Sequence, residues 1–76
     1  MSAVLRIPQA GAAMEEGTII EWLVPDGSAV EAGQVVYRLD TDKTEIDVEA
    51  PVAGTLRMIG LPGTAYPVGA EVGIIE

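Results

Sequence analysis

An internal repeat limits the folds that this chain can adopt. Gly27-Ser-Ala-Val-Glu-Ala-Gly33 lies 36 residues before Gly63-Thr-Ala-Tyr-Pro-Val-Gly69, and Gly17-Thr-Ile lies 37 residues before Gly54-Thr-Leu. Two similar halves in one chain predict a pseudo-two-fold arrangement. If the first half ends near residue 43 and the second at the C-terminus, residue 43 and the chain termini should lie at opposite ends of the domain.

Short β-like runs, separated by glycine and proline, fill both halves. They cover residues 3–7, 18–24, 29–30, 35–41, 55–59 and 71–75. No window shows a sustained helical period, and closely spaced short strands with such turn residues are typical of all-β proteins. We therefore predict one all-β domain over residues 1–76, folded as a sandwich or a flattened barrel.

Lys43, the only lysine in the sequence, is predicted at the tip of a β-hairpin. A two-residue turn at Asp42 and Lys43 gives an antiparallel register with one apolar face and one polar face. The apolar pairs would be Leu39 with Ile46, Tyr37 with Val48, and Val35 with Ala50. The other pairs would be Asp40 with Glu45, Arg38 with Asp47, and Val36 with Glu49. Because the turn has no Asn-Gly or Asp-Gly pair, type I is the favoured geometry.

The two halves differ in the length of one loop. Gly17 follows Pro8 by nine residues, whereas the equivalent step in the second half takes three. The first strand is expected to run from the terminal end of the domain toward Lys43, so the longer loop, residues 9–16, should open near that lysine. Extra loop length in a small domain is often functional, although tolerated insertions are common.

Composition excludes several classes of function. The sequence has no cysteine and no histidine, so disulfides, thiolate metal sites and zinc or haem sites are not expected. The formal net charge of −8 argues against binding to nucleic acids or anionic membranes, because both need clustered cations. The sequence shows neither an apolar run of membrane-spanning length nor a signal-peptide pattern. We therefore expect a soluble intracellular protein.

Lys43 is better suited to be modified than to act as a catalyst. A nucleophilic lysine must lose its proton, which proteins achieve by burial or a neighbouring cation. Acidic residues near Lys43 in the sequence stabilise its charged form instead, and they are Asp40, Asp42, Glu45, Asp47 and Glu49. A calcium loop starting at Asp40 is rejected, because Glu45 and Pro51 stand where that loop needs glycine and glutamate. Another enzyme, however, can find and modify an exposed amine at a fixed place.

Four motifs together resemble one known domain family. They are Gly17-Thr-Ile-Ile-Glu-Trp22, the segment from Gly27 to Gly33, Asp40-Thr-Asp-Lys-Thr44, and Val48-Glu-Ala-Pro51 through Gly54. Over essentially its whole length the chain resembles a lipoyl domain of the acyltransferase (E2) component of 2-oxo acid dehydrogenase complexes. The central Thr41-Asp42-Lys43, with Gly33 ten residues before the lysine and Gly54 eleven after it, is a specific signature of that family.

The residues beside the lysine distinguish lipoyl from biotin carrier domains, and residues near the N-terminus indicate the branch of the lipoyl family. Biotin carrier domains share the architecture but usually have Met-Lys-Met at the tip, where this chain has Asp42 and Thr44. Ile7-Pro8 through Met14-Glu-Glu-Gly17, together with Trp22, resemble the pyruvate or acetoin dehydrogenase branch more than the 2-oxoglutarate branch. Thr44 departs slightly from the family pattern, because alanine is common after its lysine.

The resemblance implies a flattened β-barrel of two four-stranded antiparallel sheets, with lipoate joined to Lys43 by an amide. The attached lipoyl group would act as a swinging arm that carries acyl groups and reducing equivalents between the thiamine-dependent E1, the E2 core and the flavoprotein E3. A lipoate ligase or lipoyl transferase would attach it, and the domain itself would be a non-catalytic, monomeric carrier. We expect the cytoplasm as its location in a bacterium and the mitochondrial matrix in a eukaryote.

The resemblance also implies roles for residues around Lys43. Those implied in recognition by the ligase and the partners are Asp42, Thr44, Asp40, Glu45, Met14 and Glu15. Gly33 and Gly54 are expected at structural turns, because glycine permits backbone conformations that side chains strain. Trp22 is expected to pack against the barrel, whereas Met14 either contacts a partner or fills the base of its loop.

Two other functions stay open at this point. One is a biotinyl carrier domain, and the other is an unmodified interaction module of the same architecture. Replacing Lys43 with arginine would abolish either carrier function and leave the interaction module intact.

Overall fold

Two four-stranded antiparallel sheets form the domain, as predicted. The computed structural model describes residues 2–9, 13–41 and 44–76, and within these ranges there are eight strands and no helix. The strands are β1 (Ala3–Arg6), β2 (Glu16–Trp22), β3 (Ala29–Val30), β4 (Val35–Asp40), β5 (Glu45–Glu49), β6 (Gly54–Met58), β7 (Ala65–Pro67) and β8 (Glu71–Ile75). One sheet has the order β1-β8-β6-β3 and the other β5-β4-β2-β7. The described ranges contain no helix that is long and apolar enough to cross a membrane.

The two halves of the chain are interleaved, so each sheet takes two strands from each half. Exchanging β1–β4 with β5–β8 turns the strand order of one sheet into that of the other. The turns repeat as well, because Gly27 and Gly63 have φ angles of 83° and 81°, and Gly33 and Gly69 have 87° and 89°. Glycine adopts this left-handed conformation without steric cost. The pseudo-two-fold arrangement predicted from the repeat is confirmed.

The chain termini and the β4–β5 hairpin belong to different sheets. Ala3 lies opposite Ile75 in the sheet that contains β1 and β8, whereas β4 and β5 pair in the other sheet. Lys43 itself lies outside the described residues. Its predicted position at the end of the domain opposite the termini therefore stays a prediction.

The strand predictions miss β7 and place β2 two residues too late. β7 pairs with the beginning of β2, where Gly17 lies opposite Tyr66. This pairing explains why β2 already begins at Glu16. β7 is an edge strand, and edge strands tolerate a residue such as Pro67 that has no N–H to donate. The repeat itself contained the missing signal, because β7 begins 36 residues after Ala29 of β3.

A β-bulge changes part of the predicted hairpin register. Four predicted pairs are present, namely Leu39 with Ile46, Tyr37 with Val48, Arg38 with Asp47, and Asp40 with Glu45. The predicted pairs Val35 with Ala50 and Val36 with Glu49 are wrong, because the register shifts and Val35 lies opposite Glu49. A bulge places one extra residue in a strand, and here Val36 and Tyr37 are both buried. The bulge thus adds a second apolar side chain to the core.

Aliphatic side chains and Tyr37 make up the core between the sheets. The buried residues are Leu5, Ile7, Ile19, Val30, Val36, Tyr37, Leu39, Ala50, Leu56, Val72 and Ile75. Trp22 packs against this core as expected, with its ring centroid 4.9 Å from that of Tyr37. Its indole N–H donates a hydrogen bond of 3.0 Å to the carbonyl of Gly60.

The hydroxyl of Tyr37 is buried without a hydrogen-bond partner among the described residues. The side chain is 0% exposed, and burial raises the pKa of Tyr37 to about 12 from an ordinary value of 10.0. Burial disfavours the phenolate, because the charged form loses its hydration. A buried hydroxyl that makes no hydrogen bond also costs free energy in the folded state.

We expect unfolding measurements to detect this tyrosine at high pH. The unfolded chain ionises Tyr37 near pH 10 and the folded chain near pH 12, so its contribution to stability is complete below pH 10 and is lost between these values. The loss should approach about 1.4 kcal/mol per pH unit. Urea unfolding of the wild type and Tyr37→Phe, compared at each pH, isolates this effect, since phenylalanine cannot ionise. A constant difference from pH 9 to 12 would contradict the burial argument.

Two glycines allow neighbouring strands to approach closely at equivalent positions of the repeat. A Cβ atom on Gly17 would lie 2.8 Å from Cδ1 of Leu39, and one on Gly54 would lie 2.8 Å from Cγ2 of Ile75. The Cβ on Gly54 would also collide with the carbonyl oxygen of Glu76, which is backbone and has little room to move.

Gly54→Ala is therefore expected to destabilise the domain by about 2–3 kcal/mol, in the upper range for overpacking. Gly27→Ala is the matched control, because its φ of 83° is unfavourable for alanine but nothing lies within 4 Å of the added Cβ. We expect about 1–2 kcal/mol for that control. Urea unfolding gives both values, and equal losses would refute a specific clash at Gly54.

Candidate functional site

The ends of β4 and β5 are joined by hydrogen bonds between Thr41 and Thr44. The N–H of Thr41 donates to the carbonyl oxygen of Thr44 at 2.8 Å, and Oγ1 of Thr41 donates to the same oxygen at 2.9 Å. Two residues, Asp42 and Lys43, connect these threonines in the sequence, and both lie outside the described residues. The predicted tip position of Lys43 and the turn type therefore stay predictions, whereas the closed pair that flanks them is observed.

Two carboxylates stand beside this closed pair. Asp40 at the end of β4 lies directly opposite Glu45 at the start of β5, and both residues are exposed. Like charges at directly opposite positions of an antiparallel pair are destabilising. The hairpin thus ends in an acidic, solvent-facing rim, as its sequence predicts.

The described end of the loop at residues 9–16 lies at the same end of the sheet as this rim. Thr18 pairs with Asp40, so in an antiparallel ladder the residues before Thr18 lie toward the residues after Asp40. Glu15 is exposed, and its carbonyl accepts a 3.0 Å hydrogen bond from the N–H of Val68. Met14 is half-buried and packs against the core. Residues 10–12 are outside the described residues, so the predicted opening of the loop near Lys43 stays a prediction.

Hydrogen bonds of the loop account for the position of Met14. The side-chain amide of Gln9 donates to the carbonyl oxygen of Met14 at 2.9 Å, which joins the two sides of the loop. The packing of Met14 against the core favours the interpretation that it fills the base of the loop. Glu15, rather than Met14, presents its side chain to solvent.

Gly33 and Gly54 lie away from the hairpin rim and act on the fold. Gly33 has a φ of 87°, and its N–H donates to the carbonyl of Ala50 at 2.8 Å, where β5 has just ended. Gly54 was expected at a turn, but it is the first residue of β6. It is glycine because the end of β8 approaches it closely. Gly33 therefore fixes the base of the hairpin through its bond to Ala50, and Gly54 fixes the start of β6, the strand that follows the hairpin.

The arginines are paired with acids on the strands. Arg6 contacts Glu71 at 3.1 Å, Arg57 contacts Glu76 at 2.8 Å, and Arg38 lies between Asp47 at 3.2 Å and Glu21 at 3.6 Å. The hydrogen bond and charge of Asp47 raise the pKa of Arg38. Within the described residues, Asp40, Glu45 and Glu15 form no ion pair with an arginine. Among the described residues the same is true of Glu16, Asp26, Glu31 and Glu49, so acids without an arginine partner lie both at the hairpin rim and elsewhere on the domain.

No cluster of three or more acidic, histidine or cysteine side chains suited to a metal ion occurs in the described ranges.

Sequence reasoning did not single out Thr41, although its hydroxyl closes the hairpin. The available signal was a threonine on each side of a two-residue turn, because hydroxyl side chains often hydrogen-bond to nearby backbone.

Comparison with known proteins places this geometry in a family. The family model described as "Biotin-requiring enzyme", the biotin/lipoyl family, matches residues 3–75. The dihydrolipoyllysine-residue acetyltransferase component of an acetoin cleaving system from Cupriavidus necator is 40% identical over 70 residues, which are 91% of this chain and 19% of that protein. The equivalent component from Pseudomonas putida is 36% identical over 72 residues, covering 93% of this chain and 20% of the relative.

A relative from another class of complex covers the whole chain. The dihydrolipoyllysine-residue succinyltransferase component of the 2-oxoglutarate dehydrogenase complex of Rickettsia typhi is 37% identical over 77 residues, 100% of this chain and 19% of the relative. The chain thus spans about a fifth of the length of these relatives.

A solved structure supports the fold. A single-chain, multi-domain long-chain acyl-CoA carboxylase matches with a TM-score of 0.76 and 24% identity, over 96% of this chain and 7% of the carboxylase. At this identity the likeness shows the fold alone. Because the family model covers residues 3–75, the chain belongs to the biotin/lipoyl family.

Proposed function

We propose that this chain is a lipoyl carrier domain, with lipoate amide-linked to Lys43. The observation that carries the proposal is the closed Thr41–Thr44 pair, which flanks the only lysine of the sequence at the end of a two-stranded hairpin. A modifying enzyme needs an amine at a defined place, and the closed Thr41–Thr44 pair on either side of Lys43 in the sequence supports the proposal that this lysine supplies it.

The surroundings of Lys43 fit a modified residue better than a catalytic one. Asp40 and Glu45 are exposed carboxylates at the ends of β4 and β5, and neither supplies the neighbouring cation that activates a nucleophilic lysine. A ligase would therefore have to remove the proton while ATP activates the lipoate carboxyl for amide formation. The amide replaces a cation with a neutral group, which takes the formal net charge from −8 to −9.

The relatives support lipoate over biotin. Their names describe dihydrolipoyllysine-residue acyltransferase components, and the two acetoin-system proteins cover more than nine-tenths of this chain. Asp42 and Thr44 stand where biotin carriers usually have methionines. When attached, lipoate would supply a dithiolane that accepts acyl groups and electrons. The domain would contribute presentation and recognition without catalysing a step itself.

The expected partners follow from a carrier role. We propose that Lys43 visits a thiamine-dependent E1, an E2 acyltransferase core and an E3 dihydrolipoamide dehydrogenase, in a complex of the acetoin or pyruvate type. A tether between the domain and its complex would raise the effective concentration of the arm at each site. Asp40, Glu45 and Glu15 are exposed at the hairpin end and are proposed, with Asp42 and Thr44, to be read by the ligase or E1. On the sequence grounds given above, we propose a cytoplasmic location.

Intact-mass measurement after enzymatic modification tests the carrier function. The chain is incubated with ATP, lipoate and lipoate ligase, or with ATP, biotin and biotin ligase, and then mapped by peptide mass spectrometry. We expect one lipoyl group at Lys43 and no biotin. Lys43→Arg is the matched control, because it keeps the positive charge but provides no acceptor amine, and it should gain no mass.

Each alternative function gives a different result. Biotin addition alone at Lys43 would assign the domain to the biotin carriers of the same family. No addition by either ligase, with the domain folded by circular dichroism, would favour the unmodified interaction module. Lipoylation of Lys43→Arg would place the modification elsewhere and overturn the role of Lys43.

A further inference from the structure

Thr41 holds the end of the β4–β5 hairpin through two hydrogen bonds to one acceptor. Its N–H and its Oγ1 both donate to the carbonyl oxygen of Thr44, at 2.8 and 2.9 Å. A carbonyl oxygen has two lone pairs, so a single residue occupies both. Among the described residues the hydroxyl of Thr44 makes no comparable bond, because its 3.4 Å distance to the Glu45 carbonyl exceeds the usual O–H···O range.

The pair next to the turn disfavours the closed hairpin. The last pair before the turn is Asp40 opposite Glu45, whose like charges repel each other. On the other side of β4, the register with β2 ends at the pair of Thr18 and Asp40. Thr41 therefore lies one residue beyond the last residue of β4 that pairs with β2 and β5. Its two bonds to Thr44 act against the repulsion between Asp40 and Glu45.

We propose that Thr41 is a positioning residue for the modification of Lys43, because its hydroxyl keeps the hairpin end closed. This inference rests on the proposed carrier function. Threonine is β-branched and has restricted rotation about χ1, so its hydroxyl loses little freedom when it bonds. A closed end increases the fraction of molecules whose turn matches the ligase. When that fraction falls, the apparent affinity of the ligase for the domain falls in proportion.

Two substitutions separate the hydroxyl from the rest of the side chain. Thr41→Val keeps the branched shape and the backbone N–H but removes Oγ1, and Thr41→Ser keeps the hydroxyl. Thr55→Val is the matched control, because Thr55 is an exposed strand residue in β6, in the other sheet. Circular dichroism and urea unfolding establish that each variant is folded under the assay conditions.

Steady-state lipoylation by lipoate ligase, with ATP and lipoate saturating and the domain varied, measures the effect. We expect Thr41→Val to raise the KM for the domain in proportion to the fall in the closed fraction, by at most about tenfold, the limit set by the net contribution of one hydrogen bond. Its kcat should not change, because the bond acts on the free domain. Thr41→Ser should stay close to the wild type, and Thr55→Val should match it. A purely structural role would change urea unfolding without changing KM.

Amide hydrogen exchange supplies a readout that needs no ligase. We expect the N–H of Thr41 to exchange about two- to tenfold faster in Thr41→Val and at the wild-type rate in Thr55→Val, because opening of the hairpin end exposes it. An unchanged KM in Thr41→Val, an equal rise in Thr41→Val and Thr41→Ser, or a loss confined to kcat would each overturn the proposal. If the wild type is not lipoylated at Lys43, the carrier function fails and takes this role with it, while exchange still decides whether the hydroxyl closes the hairpin.

Discussion

Reciprocal hydrogen bonding between the two halves is the constraint on which the rest of the structure depends. The N–H of Gly33 donates to the carbonyl of Ala50, and the equivalent N–H of Gly69 donates to Ile7, at 2.8 and 2.9 Å. Because each sheet takes two strands from each half, neither half can complete a sheet alone. The core between the sheets therefore forms only when both halves fold together, which is an efficient solution for a chain of 76 residues without disulfides.

The same symmetry explains why the hairpin end is available for function. The repeat relates β4 and β5, which the Thr41–Thr44 connection joins, to β8 and β1, which pair with each other in the other sheet. At the β4–β5 end, two local hydrogen bonds from Thr41 join the strands. A side chain placed there can be chosen for recognition and chemistry, because the core does not depend on it.

The sequence predicted the fold well because the repeat and the alternation of the hairpin agree. Leu39 and Ile46, both apolar, determine one face, and the four pairs nearest the turn follow from them. Alternation failed at Val35 and Val36, because two adjacent valines give no indication of which one the bulge buries. The threonines on either side of the turn signalled side-chain hydrogen bonds to nearby backbone, but only the geometry shows that Thr41 donates and which backbone oxygen accepts.

The spacing between Gly33 and Lys43 has a physical explanation in the length of the hairpin. Gly33 lies just before β4, which has six residues, and it bonds to Ala50 just after β5. At about 3.3 Å per residue, such a strand places the hairpin end roughly 20 Å from its base. Inserting one residue into a strand of the hairpin would exchange the buried and exposed faces of that strand, because side chains alternate along it. A fixed spacing therefore preserves both the length of the hairpin and the side of the sheet on which Asp40 and Glu45 meet solvent, and both properties follow from the pleat of the strand.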